Sequence, residues 1–317
     1  MRLLYFGSGA FGLPTLQRLY GSTEHEVVAV VSQPDRPAGR KRVSTPTPVA
    51  AWAEARGIET LKSDDVNTPG FVARVAGYGV DASVVIAFGQ KLSPTLIAAM
   101  GRLAVNVHSS LLPKFRGAAP INWAMIENEP VTGVSVIGLA QRMDAGAMYA
   151  TAETPIDPRE TAGELHDRLA ELGPDGVLRV LGDLEHDRLT PIPQDDTQAT
   201  RAPKFTKADG TVSFDRPAAL VRSRIHGLTP WPGCRVRWTS AATGTTETLI
   251  LKRVIDHMPD EVDAEPGVVR HDLRVACCPG SVELLELQAP GGKPLPLAEF
   301  VKGRPLLPGD VFTALGA

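Results

Sequence analysis

Over the first 155 residues, short apolar runs alternate with helical patterns. Leu3–Phe6, Val27–Val31, Ala82–Ala87 and Leu103–Val107 carry apolar, often β-branched residues on both faces, as strands inside a parallel sheet do. A shorter strand is expected near Glu59–Leu61. Between these runs, helical spacing predicts helices over Phe11–Tyr20, Pro48–Arg56, Pro69–Ala76 and Pro94–Met100, the last with proline at a tolerated first-turn position. Ala118–Glu127 reads as a further helix, Gly133–Gly138 and Met148–Glu153 as a strand pair at the sheet edge, and Thr161–Leu184 as one long amphipathic helix.

The pattern changes after residue 184. Thr190–Thr206 is rich in Pro, Thr, Gln and Asp and shows no apolar period, so it reads as a linker. From Gly210 the runs are short and β-like: Thr211–Phe214, Val236–Trp238, Thr248–Val254, Gly267–Val269, Leu273–Ala276 and Val282–Leu287, with one helix near Pro217–His226. No internal repeat is found. The expected architecture is a Rossmann-like, mainly parallel α/β sheet with helices on both faces (residues 1–189), a linker (190–209) and a small OB-like β-barrel (210–317).

Composition narrows the class. The 317 residues are 43% hydrophobic and 22% charged, with 30 Gly and 27 Pro, a globular profile with many tight turns. Net charge is −3, so any affinity for nucleic acid must be local. Three cysteines, Cys234, Cys277 and Cys278, form no C-x-x-C pair, which excludes a disulfide framework. The seven histidines show no metal-ligand spacing, and no metal is expected. The apolar start is too short for a signal segment, and no run approaches the roughly 20 residues of a membrane span. A cytoplasmic protein is expected.

Gly7-Ser8-Gly9-Ala10-Phe11-Gly12 fits the dinucleotide fingerprint between a strand and a helix. The acidic residue that should end the second strand is missing, because Val31 is followed by Ser32-Gln33-Pro34. The glycines are therefore read as a tight turn with close helix–strand approach, and an NAD(P)-dependent oxidoreductase stays a minor alternative.

The stronger signal is Asn106-Val107-His108 at the carboxyl end of a parallel strand, where open α/β sheets place ligands. Residues two apart in a strand share a face, so both polar side chains point the same way. Alone, the pair is as consistent with a structural hydrogen bond as with chemistry. Asp144 adds a carboxylate from the glycine-bounded loop Gly138–Gly146. Amide, imidazole and carboxylate together suit acyl transfer to a nucleophile that belongs to the substrate.

With these stretches in hand, the sequence resembles the folate-dependent formyltransferases, and within them the methionyl-tRNA formyltransferases. Matching blocks include Phe6–Phe11, Ser32–Arg40, Ala87–Gln90, Asn106–Pro120, Gly138–Ala147, Ala202–Lys207, Pro230–Gly233 and Leu307–Asp310. The resemblance implies formyl transfer from 10-formyltetrahydrofolate to the α-amine of methionyl initiator tRNA. It implies Asn106 as amide donor to the formyl oxygen. His108 would donate to that oxygen or relay a proton, and Asp144 would raise the imidazole pKa, hold a water or accept the amine proton. It also implies folate contacts from Phe88, Gly89, Gln90, Ser110, Leu111, Leu112, Pro113 and Leu139.

For tRNA, the resemblance points to a basic loop with Arg36, Arg40, Lys41 and Arg42, and to Lys204 and Lys207. The stretch Arg201–Arg237 holds eight Lys/Arg against Asp209 and Asp215, a local surplus of six. The loop reads Arg40-Lys41-Arg42-Val43, where the family more often has glycine and paired lysines after the arginine. A monomer is expected. The rival readings are a formyltransferase for a small amine, such as glycinamide ribonucleotide or an amino sugar nucleotide, and a non-enzymatic RNA-binding module.

Overall fold

The computed structural model describes residues 1–39, 42–258 and 264–315. They form two compact units. One holds Met1–Gly117, Gly133–Thr154 and His166–Arg201; the other holds Ala118–Thr132, Pro155–Leu165 and Ala202–Ala317.

The first unit is built on β1 (Arg2–Gly7), β2 (Glu26–Ser32), β3 (Thr60–Lys62), β4 (Ala82–Ile86), β5 (Leu103–His108), β6 (Val131–Gly138) and β7 (Met148–Pro155). Their order in the sheet is β7-β6-β5-β4-β1-β2-β3. The pairs β1–β2, β1–β4, β2–β3 and β4–β5 are parallel, and β5–β6 is antiparallel. The chain runs outward from β1 to β3 and then returns to β4 and β5. The topological switch thus falls between β1 and β4, the crevice that such sheets use for ligands. β1 and β4 are buried almost throughout, which explains their unbroken apolar runs.

Helices α1 (Leu13–Tyr20), α2 (Pro48–Glu54), α3 (Pro69–Gly77) and α4 (Pro94–Ala98) fill the crossovers. The last three share a local start signal. Thr47, Thr68 and Ser93 accept the amides of Ala50, Phe71 and Leu96 through their hydroxyls, and proline follows each cap. The cap satisfies an orphan N–H, and proline at the first helical position has none to lose.

Several expectations need correction. α5 (Pro120–Ile126) lies in the second unit, so the division in space does not follow the division along the chain at 189 and 210. The reason is burial: Asn122 donates to the Gly227 carbonyl at 2.7 Å, and Trp123 stacks on Phe205 with ring centroids 4.9 Å apart. The single helix expected over Thr161–Leu184 is two, α6 (Ala162–Ala170) and α7 (Gly173–Glu185), because Pro174 cannot donate to the carbonyl one turn back. Arg36–Ala38 pairs antiparallel with Val43–Thr45, so the basic loop is a hairpin at its flanks. The expected linker is not structureless, since Asp196–Gln198 forms a helical turn and Ile192 exchanges backbone bonds with Met148.

The second unit is a nearly closed antiparallel barrel. After α8 (Ala218–Gly227) come β8 (Cys234–Thr239), β9 (Thr246–His257), β10 (Val275–Ala276), β11 (Ser281–Gln288), β12 (Pro294–Pro296), α9 (Leu297–Phe300) and β13 (Val311–Ala314). The order is β10-β11-β9-β8-β13, with β12 on β11, and the bridges Val268–Val311 and Val269–Val275 link the two ends. Val236, Trp238, Leu251, Leu284 and Phe312 fill the core with Val221 and Ile225 of α8. Buried Asp310 accepts the Trp238 indole N–H at 3.0 Å and the Ala241 and Leu307 amides at 2.8 and 3.0 Å. Thr211–Phe214 and Gly267–Val269, expected as strands, contribute only isolated bridges.

Candidate active site

At the carboxyl ends of β1 and β4 the glycine motif is spent on packing. Tyr5 is fully buried, and its hydroxyl donates to the Gly12 carbonyl at 2.7 Å. A Cβ on Gly12 would meet that hydroxyl at 2.2 Å, so glycine is required by the tyrosine. The Ser8 and Gly9 amides donate to the Ala87 carbonyl. The Ser8 hydroxyl and the Gln33 side-chain amide both donate to the Phe88 carbonyl, at 3.0 and 3.3 Å. The turn therefore shapes the neighbouring 87–89 loop.

Asn106 and His108 occupy one face of β5, opposite Ile137 and Ser135 of β6. Asn106 is partly exposed, whereas His108 is buried. Among the described residues, nothing hydrogen-bonds to the Asn106 carboxamide. Such an amide at a strand end is free to serve a ligand. His108 Nε2 lies 2.9 Å from the Phe115 carbonyl oxygen. A carbonyl only accepts, so Nε2 carries the hydrogen and donates. Nδ1 is thereby left as the nitrogen without a hydrogen, and it faces Asp144 Oδ1 at 3.7 Å.

Asp144 is held by its own contacts. Its other oxygen accepts the Gly117 amide at 3.0 Å, and its backbone adopts φ +54°. Gln194 donates through Nε2 to the Asp144 and Gly146 carbonyls, each at 2.8 Å, while its Oε1 accepts from Arg116 Nε and Nη2 at 3.0 and 2.6 Å. Arg116 and Arg142 both reach Asp196, and their guanidiniums, Arg142 first, hold its carboxyl below the usual range.

The expected cofactor contacts divide. Ser110 is buried and its hydroxyl donates to the Lys114 carbonyl at 2.7 Å. The turn Ser110–Pro113 is tied to β6 by Ser135, which donates to the Ser110 carbonyl and accepts the Leu112 amide. Leu112 is core, whereas Leu111 and Pro113 are partly exposed. Leu139 packs partly buried on the same apolar cluster as Phe88. Phe88 itself is 3% exposed and meets Phe6 edge-on at 5.5 Å, so its ring lines the core, and only backbone remains for a ligand. Gln90 spends both ends of its amide on the Val66 N–H and the Ser63 carbonyl, so its amide holds residues 63–66 in place. Gly89, at φ +87°, leaves its backbone exposed.

Arg36 and Arg42 are exposed on the hairpin of the first unit, Arg36 with Asp64 3.5 Å away. Arg40 and Lys41 lie outside the described residues. Lys204 and Lys207 are exposed in the second unit. Sequence reasoning missed Phe115, Ser135, Gln194 and Thr200. Their roles arise from contacts of 7 to 85 residues in separation, which no local period encodes. Among the described residues, no cluster of three or more His, Cys, Asp or Glu could hold a metal, and no helix is long and apolar enough to cross a membrane.

The Asn106 carboxamide thus shares a strand face with His108, whose Nδ1 faces the Asp144 carboxylate. Residues 1–181 match the formyl transferase family, and residues 204–305 match the formyl transferase C-terminal domain. The chain belongs to this family, among the methionyl-tRNA formyltransferases. The protein of that name from Sorangium cellulosum (strain So ce56) is 39% identical over 318 residues, covering 98% of this chain and 99% of that one. Its counterpart from Cereibacter sphaeroides (strain KD131 / KCTC 12085) is 38% identical over 310 residues, 98% of each. In fold, the chain is similar to the N-formyltransferase of Helicobacter canadensis, solved with folinic acid and dTDP-3-aminofucose (TM-score 0.64, 12% identity, 90% of this chain and 98% of that one). It is also similar to HypX from Aquifex aeolicus, solved with tetrahydrofolic acid (TM-score 0.59, 18% identity, 95% of this chain and 47% of that one).

Proposed function

We propose that this chain transfers the formyl group of 10-formyltetrahydrofolate to the α-amine of methionyl initiator tRNA in the cytoplasm. The carrying observation is the Asn106 carboxamide, without a partner among the described residues and on one strand face with His108, whose Nδ1 faces Asp144. The folate supplies an activated one-carbon unit, whose carbon forms a bond to the amine as its bond to the folate nitrogen breaks.

The chain's own residues then have three tasks. Asn106 donates from Nδ2 to the formyl oxygen as charge builds there; such donors are effective because they need no reorganisation. His108, oriented by Phe115, offers Nδ1 to the proton that the amine must lose, and that proton passes to the leaving nitrogen. Asp144 stabilises the imidazolium that forms in between. This choice of nitrogen favours the proton-relay role of His108 over donation to the formyl oxygen. The backbone at Gly89, the turn Ser110–Pro113 and Leu139 are assigned to the folate, and Arg36, Arg40, Lys41, Arg42, Lys204 and Lys207 to tRNA phosphates.

Relatives named for methionyl-tRNA over nearly the full length support this acceptor over a small amine. A formyl-transfer assay with 10-formyltetrahydrofolate and three acceptors (methionyl-tRNA, free methionine and glycinamide ribonucleotide) tests it. Turnover with methionyl-tRNA alone is expected, and preference for either small acceptor would defeat the reading.

A further inference from the structure

The segment between the sheet and Ala202 looks expendable in sequence, yet it bonds to residues on both sides of the His108–Asp144 pair. Ile192 is fastened to Met148 of β7 by two backbone bonds of 2.9 Å. Two residues on, Gln194 donates to the Asp144 and Gly146 carbonyls and accepts from Arg116, so both ends of its amide are used. Asp196 receives Arg116 and Arg142 at 2.8 and 2.7 Å. At the far end, Thr200 accepts the Phe115 amide through its hydroxyl and the Arg116 amide through its carbonyl, at 2.8 and 2.9 Å.

Two of these partners, Phe115 and Arg116, carry or adjoin the groups that orient the pair. The Phe115 carbonyl fixes the His108 ring, and the Gly117 amide fixes Asp144. Apart from its bonds to Gln194 and Asp196, the loop that carries Asp144 is tied by the Gly117 amide and by its own Gly138–Ala147 and Ala145–Arg142 backbone bonds. Residues 140–143 are exposed, Met143 is 70% exposed, and Asp144 sits in a left-handed conformation that costs a non-glycine residue free energy. Gly146 approaches so closely that a Cβ there would lie 1.8 Å from the Gly138 carbonyl. Gly146 thus lies close against the end of β6, and Gln194 bonds the loop at residues 144 and 146.

We infer that residues 192–200 act as a strap and that Gln194 is a positioning residue, setting the distance from Asp144 to His108 Nδ1. The inference rests on the formyl-transfer reading of that pair. Gln194→Glu is the informative change. It is isosteric and keeps an oxygen for Arg116, but it replaces the donating NH2 by a carboxylate oxygen facing two carbonyls.

The experiment compares wild type, Gln194→Glu, Asp144→Asn and the double variant in steady-state formylation of methionyl-tRNA. Displacing a reacting group by about 1 Å can cost on the order of 100-fold. Gln194→Glu is accordingly expected to lower kcat by about 10- to 100-fold, with both KM values within about threefold of wild type. In the Asp144→Asn background the same substitution is expected to change kcat by less than about twofold, because residues acting through one group are not additive. Full additivity, or a kcat within about threefold of wild type, overturns the strap. Hydrogen exchange over residues 139–147 needs no substrate and separates the two readings. Exchange at least about tenfold faster in Gln194→Glu supports the strap even if wild type formylates none of the acceptors, and unchanged exchange overturns it.

Discussion

Asp144 and His108 face each other across 3.7 Å, from Oδ1 to Nδ1, while the second nitrogen of the imidazole is committed to the Phe115 carbonyl. The gap is longer than a hydrogen bond. A proton arriving at Nδ1 would therefore form a charge pair with the carboxylate without displacing any existing contact of the ring. Asp144→Asn keeps an acceptor for the Gly117 amide and removes the charge. It is expected to lower kcat by about 100- to 10,000-fold, the usual range for a proton-transfer group. Steady-state formylation beside an unchanged thermal unfolding curve checks this.

Asn106→Ala removes the carboxamide proposed above as donor to the formyl oxygen. Since no described residue bonds to that carboxamide, its loss leaves no buried group unpaired. Stability should stay within about 1 kcal/mol of wild type, as for partly exposed positions without special contacts. The rate should drop by about 100- to 1,000-fold, as for other single oxyanion donors. A full-strength Asn106→Ala enzyme would remove this residue from the chemistry.

Gly12 and Tyr5 form a lock that is structural. Gly12→Ala places a methyl 2.2 Å from the tyrosine hydroxyl in a closed interior. The expected cost is about 2 kcal/mol or more, the scale of overpacking in a core. Adding Tyr5→Phe removes the clashing oxygen and should recover part of the loss. Urea unfolding of the two variants measures both effects; a double variant no more stable than Gly12→Ala would refute the lock.

His226 gives the second unit an acid-sensitive point. Its Nε2 accepts the Val254 amide at 3.0 Å, and burial, helped by the Arg222 and Arg253 charges, lowers its pKa from 6.5 to about 4. The unfolded chain binds this proton more readily, so stability falls as the pH drops from about 6.5 to about 4 and is regained above. The contribution over that window is about 3 kcal/mol. Chemical unfolding of wild type and His226→Gln at pH 7 and at pH 4.5 should show a flatter response in the variant. Parallel slopes would exclude His226 as the source.

Much of the first unit was legible because its information is local. Apolar runs mark β1, β2, β4 and β5, and Thr-Pro or Ser-Pro pairs mark the starts of α2, α3 and α4. The break at Pro174 was local too, but the amphipathic pattern on both sides concealed it. In the second unit, Pro294–Pro296 and Val311–Ala314 were not legible, since an exposed edge strand and a short closing strand carry little apolar period.

By itself, the sequence determined that Asn106 and His108 share a face at a strand end, because side chains in a strand alternate with a period of two. It also determined that the glycines after β1 lack an acidic partner. Only the tertiary structure decided that Tyr5 occupies their crevice, that Phe88 turns into the core, that Nδ1 is the free nitrogen of His108, and that Gln194 grips the Asp144 loop. Each of these is a contact between residues 7 to 82 positions apart, set by how the sheet stacks its crossovers, and such contacts leave no trace in local periodicity.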